Sequence, residues 1–271
     1  MKRALPVYTI EGTDFVVDVA NVQLYEKANP ENKISVFHTE DAEDGYILSY
    51  SPKTKNLPEL PDDENVKKVK IPELVHLDPV GMAEKYGISV NEIEGKKDID
   101  LMVDQEALRQ RLAGVLPTID IAGQTFYVDI RMDMLRPKDD FLSDGIVFSR
   151  IGDYFHYDDA SYVIPYNCKT HEFDEPDYNN IISIPKDIIL VSIPHESLLD
   201  PIGCNRKNGW HETTGLKEVN VKSHFDAKVI DWKETGIERT IQENIKKQGQ
   251  QHKPDNDKHQ AGKRQHRGPK L

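Results

Sequence analysis

The sequence predicts an α+β fold: two tandem β-rich modules related by an internal repeat, with short helices at the module ends and in the linker, and a disordered basic C-terminal tail. Three observations predict it. The stretch LPVYTIEGTDFVVDV from Leu5 returns as LPTIDIAGQTFYVDI from Leu116, with seven identities in fifteen positions at a constant offset of 111. Later landmarks recur in the same order: KTK at Lys53–Lys55 as KTH at Lys169–His171, Ile71-Pro72 as Ile184-Pro185, and LDPVG at Leu77–Gly81 as LDPIG at Leu199–Gly203. Ordered recurrence over about ninety residues marks a repeat. Third, from Gln248 onward apolar residues nearly vanish, and such a composition cannot bury enough surface to offset chain entropy. The expected organisation is a first repeat at 1–87, a helical linker at 88–115, a second repeat at 116–209, a strand and helix extension at 210–247, and the tail at 248–271.

Each module opens with a predicted hairpin, Val7–Ile10 then Asp14–Val19, with Gly12 supplying the positive φ of the turn. In the second strand Phe15, Val17 and Val19 alternate with Val16, Asp18 and Ala20, which gives one apolar face. The copy repeats this around Gly123 with Phe126, Val128 and Ile130. Further strands are predicted at Lys33–Phe37, Gly45–Tyr50 and Val66–Ile71, then at Gly145–Phe148, Ser161–Pro165 and Ile181–Ile184. The apolar run Asp187–Pro194 reads as a strand the first copy lacks. LDPVG and LDPIG read as helix starts, with Asp78 and Asp200 as N-caps, Pro79 and Pro201 at the first helical position, and Gly87 and Gly209 as the stops. Between the copies, Ser89–Glu92 fits a capping box, and Asp104–Leu112 reads as a helix whose apolar face is Leu108, Leu112 and Val115. Thr235–Glu238 fits another capping box, opening a helix with the stripe Ile237, Ile241 and Ile245.

Charge narrows the partners. The chain carries −12, and residues 248–271 hold six Lys/Arg against two Asp, so the preceding residues carry −16. A body that acidic repels phosphate backbones and anionic membranes. No apolar run of signal-peptide or membrane-span length occurs, and two cysteines are too few for a disulfide framework. The expectation is a cytoplasmic protein with reduced thiols.

The segments LPVYTIEGTDFVVDV, LDPVGMAEKYG, LPTIDIAGQTFYVDIRMDMLRPKDDF and IPYNCKTHEF resemble a group of tandem-repeat proteins of Bacteroidota to which no activity is attached. The resemblance spans most of residues 4–245. It implies a bacterial cytoplasmic setting and a shared architecture, and it transfers no catalytic residue.

Candidate sites compete with structural readings. Asp18 and Asp129 recur, and a carboxylate pair can run hydrolysis if held about 5–10 Å apart; an Asp leaving a strand also caps the adjoining turn, and that reading is preferred. His156 and His195 are the accompanying catalytic candidates. Cys168 and His171 form one CxxH, whereas a structural zinc site draws on four ligands, and the matching Pro52 and Lys55 cannot bind metal. Neither cysteine sits in a nucleophile signature, and there is no GxSxG, P-loop or GxGxxG. No cofactor is expected. Tyr154, Tyr157 and Tyr162 are candidate binding anchors, or else tyrosines filling half-buried strand positions. In the tail, Lys263, Arg264 and Arg267 can hold nucleic acid weakly and salt-dependently. The favoured function is a non-enzymatic protein-interaction or accessory protein with an unknown protein partner, since a duplicated module makes a two-site surface. The alternatives are a nucleic-acid-associated factor using the tail, or an acid-pair or metal-assisted hydrolase.

Overall fold

The computed structural model describes residues 3–59 and 65–251. The first module opens with a hairpin of β1 (Val7–Ile10) and β2 (Thr13–Asp18). Its two-residue turn holds Glu11 at φ 48° and Gly12 at φ 80°, the left-handed pair that the twist of a tight hairpin demands. A 3-10 turn, Val19–Asn21, leads to β3 (Gln23–Glu26) and β4 (Asn29–Ser35), giving the antiparallel order β1-β2-β3-β4. A second sheet follows from β5 (Glu40–Ala42), β6 (Gly45–Tyr50) and β7 (Lys67–Ile71). Two short helices close the module, α1 (Leu74–Leu77) and α2 (Pro79–Tyr86).

After α3 (Asp98–Met102) and α4 (Gln105–Leu112), the chain follows the same order again. The strands β8 (Thr118–Ile121), β9 (Gln124–Asp129), β10 (Met134–Pro137) and β11 (Ile146–Val147) form a meander, with a 3-10 turn at Ile130–Met132 in the place of Val19–Asn21. Its hairpin turn holds Ala122 at φ 50° and Gly123 at φ 91°. The second sheet is built on β12 (Phe155–His156), β13 (Ser161–Asn167), β14 (Glu172–Phe173) and β15 (Ile188–Pro194), and it leads into α5 (Glu196–Leu199) and α6 (Pro201–Asn208). An extension of α7 (Leu216–Val219), β16 (His224–Asp226), β17 (Lys228–Ile230) and α8 (Ile237–Gln251) serves the second module. There β16 joins β8 in parallel, while β17 joins β15 antiparallel.

Why these residues make these helices is plain at the caps. Asp78 and Asp200 have almost the same backbone, φ −148° and −146°, and each accepts a hydrogen bond of 2.9 Å from Gly81 N or Gly203 N. A Cβ on either glycine would lie 2.2 Å from that carboxylate, so only glycine lets the cap fold in so closely. The helices end at Gly87 and Gly209, both left-handed. Each capping carboxylate also takes a two-pronged arginine: Arg3 reaches Asp78 at 2.7 and 2.6 Å, and Arg111 reaches Asp200 at 2.8 and 2.8 Å. Buried charges persist only with such pairing.

Each module has its own core. Phe15, Val17, Leu24, Leu48 and Tyr50 anchor the first, and Phe126, Val128, Leu135, Ile164 and Tyr166 the second. Edge-on ring pairs match: Phe15 and Tyr50 lie 6.5 Å apart at 80°, Phe126 and Tyr166 6.3 Å apart at 72°. The linker packs on both sides: Ile93 and Met102 join the first core, while Val103, Ala107 and Leu108 pack against Ile202, Leu216 and Val221. Lys217 ties the modules together, 2.5 Å from Asp41 and 4.2 Å above the Tyr46 ring.

Several expectations need correction. Ile181–Ile184 forms no strand; Ile181 instead packs with Tyr178 against Trp232 and Ile237. The strand that follows, β15, pairs with β13 as β7 pairs with β6, so it is the positional counterpart of β7 and not an addition. Ile71-Pro72 therefore matches Ile193-Pro194, both pairs lying directly before a helix N-cap. In α4 the buried side is Ala107, Leu108 and Arg111, whereas Leu112 and Val115 are exposed, because the helix turns its arginine towards Asp200. Thr235 does not cap α8, since its hydroxyl donates to Trp232 O. Ser89–Glu92 caps only a 3-10 turn. The helix α8 continues to Gln251, past the expected tail boundary at Gln248, and residues 252–271, including Lys263, Arg264 and Arg267, lie outside the described residues. Among the described residues no helix is long and apolar enough to cross a membrane.

Candidate functional site

Asp18 and Asp129 occupy matching places, at φ −113° and −114°, as caps of the 3-10 turns. Asp18 accepts from Asn21 N at 3.3 Å, Asn21 Nδ2 at 2.7 Å and Gln23 Nε2 at 2.9 Å. Burial works against its charge, but these hydrogen bonds outweigh it and hold the carboxyl below its ordinary value. Asp129, buried, accepts from Met132 N at 3.2 Å, with Arg136 Nε 4.0 Å away. The two acids line different cavities, and neither His156 nor His195 lines either one.

His195 is the N-cap of α5. Its Nδ1 accepts from Ser197 N at 3.2 Å, which leaves Nε2 to face Glu196 Oε2 at 3.2 Å. The Tyr162 hydroxyl donates to the same carboxylate, and its ring stacks on the imidazole at 5.4 Å. Cys204 lines the cavity next to this group, but burial, with help from Glu196 and Asp200, pushes its thiol up to about 12. A thiol so held is a poor nucleophile at neutral pH. His156 is exposed on β12.

Cys168 is exposed, and burial of its sulfur together with Asp187 raises its thiol above the ordinary value. His171 Nδ1 lies 2.9 Å from Asp140 Oδ2. The one cluster of three potential metal ligands among the described residues lies elsewhere: Asp120, His224 and Asp226, where β16 joins β8, with ligand atoms within 4.8 Å of one another. There His224 Nδ1 is already 2.8 Å from the Thr118 hydroxyl, and Asp120 accepts from Thr125 at 2.6 Å.

Tyr162 is a core residue and Tyr154 is half-buried, edge-on to Phe173 at 5.2 Å. Tyr157 is 89% exposed and touches Phe155 edge-on at 4.8 Å. Phe141, Leu142 and Trp210 are also exposed. Among the described residues of the first module no aromatic side chain is exposed.

A pair of corresponding cavities went unseen in the sequence. Each lies between the Asp-capped 3-10 turn and the helix that closes the module. In the first module the cavity, about 490 Å³, is lined by Arg3, Asp18, Ala20, Glu84 and Lys85 among others. In the second it is about 710 Å³, and Arg111, Asp129, Arg131, Asp133, Arg136, Arg206 and Lys207 supply its charge. Ala20 and Arg131 are each the second residue of their turn, and Glu84 and Arg206 each the sixth of their helix. A signal was present, because aligning LDPVG on LDPIG sets Glu84 against Arg206 directly. Comparison with known proteins finds no match to this chain among family models, curated proteins or solved structures.

Proposed function

We propose that the chain is a non-enzymatic interaction protein made by duplication of one β-rich module, with the second copy presenting the working surface. One contrast carries this reading. The polar residues the copies share are engaged in capping and ion pairing: Asp18, Asp129, Asp78 and Asp200 hold turns and helices, and the last two hold an arginine each. What differs between the copies lies on the outside: among the described residues both expose aliphatic side chains, Leu5, Val7 and Val80 in the first and Leu142 in the second, but exposed aromatic side chains occur only in the second, at Phe141 and Tyr157, and just beyond it at Trp210. Exposed aromatic and aliphatic side chains of this kind are the anchors of protein interfaces. A hydrolase reading finds less support, because Asp18 and Asp129 line separate cavities and the Cys204 thiol stays protonated. The use of a basic tail for nucleic acid remains an independent proposal.

A panel of esterase, phosphatase and peptidase substrates tests the reading against Asp18→Asn/Asp129→Asn. No turnover should depend on these acids. Turnover that the double variant loses while its circular dichroism spectrum is retained would contradict a non-enzymatic role.

A further inference from the structure

The second module's cavity is lined by five cationic side chains and two acids, with Asp200 and Glu212 holding two of the cations from outside the lining, on a body that is otherwise strongly acidic. Its counterpart in the first module sets Arg3 and Lys85 against Asp18 and Glu84, and these are consumed locally. Lys85 Nζ donates to Val19 O at 2.9 Å and to Ala20 O at 3.2 Å, and Arg3 lies between Asp78 and Glu84. The first cavity is thus without surplus positive charge.

The second is not. Arg131 has no hydrogen-bond or ion-pair partner among the described residues. Arg111 spends Nε and Nη2 on Asp200, and Arg206 spends Nε on Glu212 at 2.7 Å, so each keeps guanidinium donors in reserve. Arg136 stands over the Tyr127 ring at 5.0 Å, with Asp129 no nearer than 4.0 Å. Lys207 meets Asp133 at 3.3 Å. Like charges gathered in a concavity repel one another, and a bound anion relieves that repulsion.

We infer that the cavity lined by Arg111, Arg131, Arg136, Arg206 and Lys207 binds a small phosphate-bearing ligand. Guanidinium forks match the oxygens of phosphate, and several of them around one concavity favour two or more negative charges over one. The acidic body selects for a compact anion, since a long polyanion would run from the cavity onto like charge. This inference rests on the binding reading above and names the ligand class for one of its surfaces.

Isothermal titration of the full chain with inorganic pyrophosphate at low salt tests it. Binding to one site is expected, weakening as salt is added. Arg131→Ala and Arg136→Ala should each weaken it about tenfold, the equivalent of one charge-assisted hydrogen bond. Arg131→Glu/Arg206→Glu should abolish it, with an unchanged melting profile showing that the fold is intact. Three results would overturn the site: no pyrophosphate binding, binding indifferent to these substitutions, or acetate binding equally well. Affinity for single-stranded oligonucleotides that rises with their length would replace the small ligand with a nucleic acid. Release of phosphate from bound pyrophosphate would leave the site standing and overturn the non-enzymatic reading; neither binding nor turnover would overturn the site and leave that reading standing.

Discussion

Replacing Arg111 by methionine isolates the buried ion pair beneath the second module. The Asp200 side chain is fully buried and the Arg111 side chain only 9% exposed. Without the guanidinium, the carboxylate keeps one neighbouring donor among the described residues, Gly203 N. Removing one partner of such a pair costs about 3–5 kcal/mol, because a charge is left in a poorly solvating interior. For a chain of this size about 2–4 °C of melting temperature goes with each kcal/mol, so the transition should fall by about 6–20 °C. Arg3→Met should cost less, since the Arg3 side chain is 29% exposed and water can replace it beside Asp78. Arg111→Met/Asp200→Asn, which removes both charges and keeps an amide oxygen for the cap, should be more stable than Arg111→Met alone. Circular dichroism melts and urea titrations of the three variants measure this. A loss below about 1 kcal/mol for Arg111→Met would refute the reasoning, because surface pairs already contribute that much. So would a double variant less stable than the single one.

Other outcomes follow from the same geometry. Gly203→Ala should destabilise by about 1–3 kcal/mol through overpacking against Asp200, reversing the usual gain of alanine in a helix; a urea midpoint that rises would contradict the close cap. The Tyr166 hydroxyl is buried with no hydrogen-bond partner among the described residues, so Tyr166→Phe should be neutral or stabilising by up to about 1–3 kcal/mol, and a clear loss in the melt would point to a partner. Iodoacetamide on the native protein should label exposed Cys168 well before Cys204, as read by peptide mass; equal rates would contradict the buried, protonated thiol. Because the folded state raises the Cys204 thiol, its contribution to stability is complete below the ordinary value of about 9 and is lost as pH climbs from there to about 12. Cys204→Ala should remove that part of the alkaline loss in a pH series of melts.

Local chemistry was legible where it is short-range. The LDP-x-G segments announce a cap, a first-turn proline and a close glycine within five residues, and both form as read. The hairpin turns at Gly12 and Gly123 are equally local. The chain between the KTH turn and β15 was misread because IISIP and ILVSIP are both short apolar runs ending in Ile-Pro; only pairing with β13 decides which one is the strand. The short strands β3 and β10, four residues each, carry no alternation strong enough to stand out, and they exist because β2 and β9 template them. Arg111 was read past for a different reason. Its place on a helix face suggests a solvated charge, and only the fold brings it to Asp200, eighty-nine residues away. The cationic cavity is likewise non-local, assembled from the end of α4, the turn after β9, β10 and α6.

An experimental structure in which residues 3–87 and 116–209 are superposed as separate bodies tests duplication most directly. Asp18 should fall on Asp129, Asp78 on Asp200, and the Arg3 guanidinium on that of Arg111, although the two arginines sit at different distances from the hairpins that follow them. Unlike strand orders, or Arg3 and Arg111 pointing away from those carboxylates, would contradict a shared scaffold and with it the contrast between the two cavities.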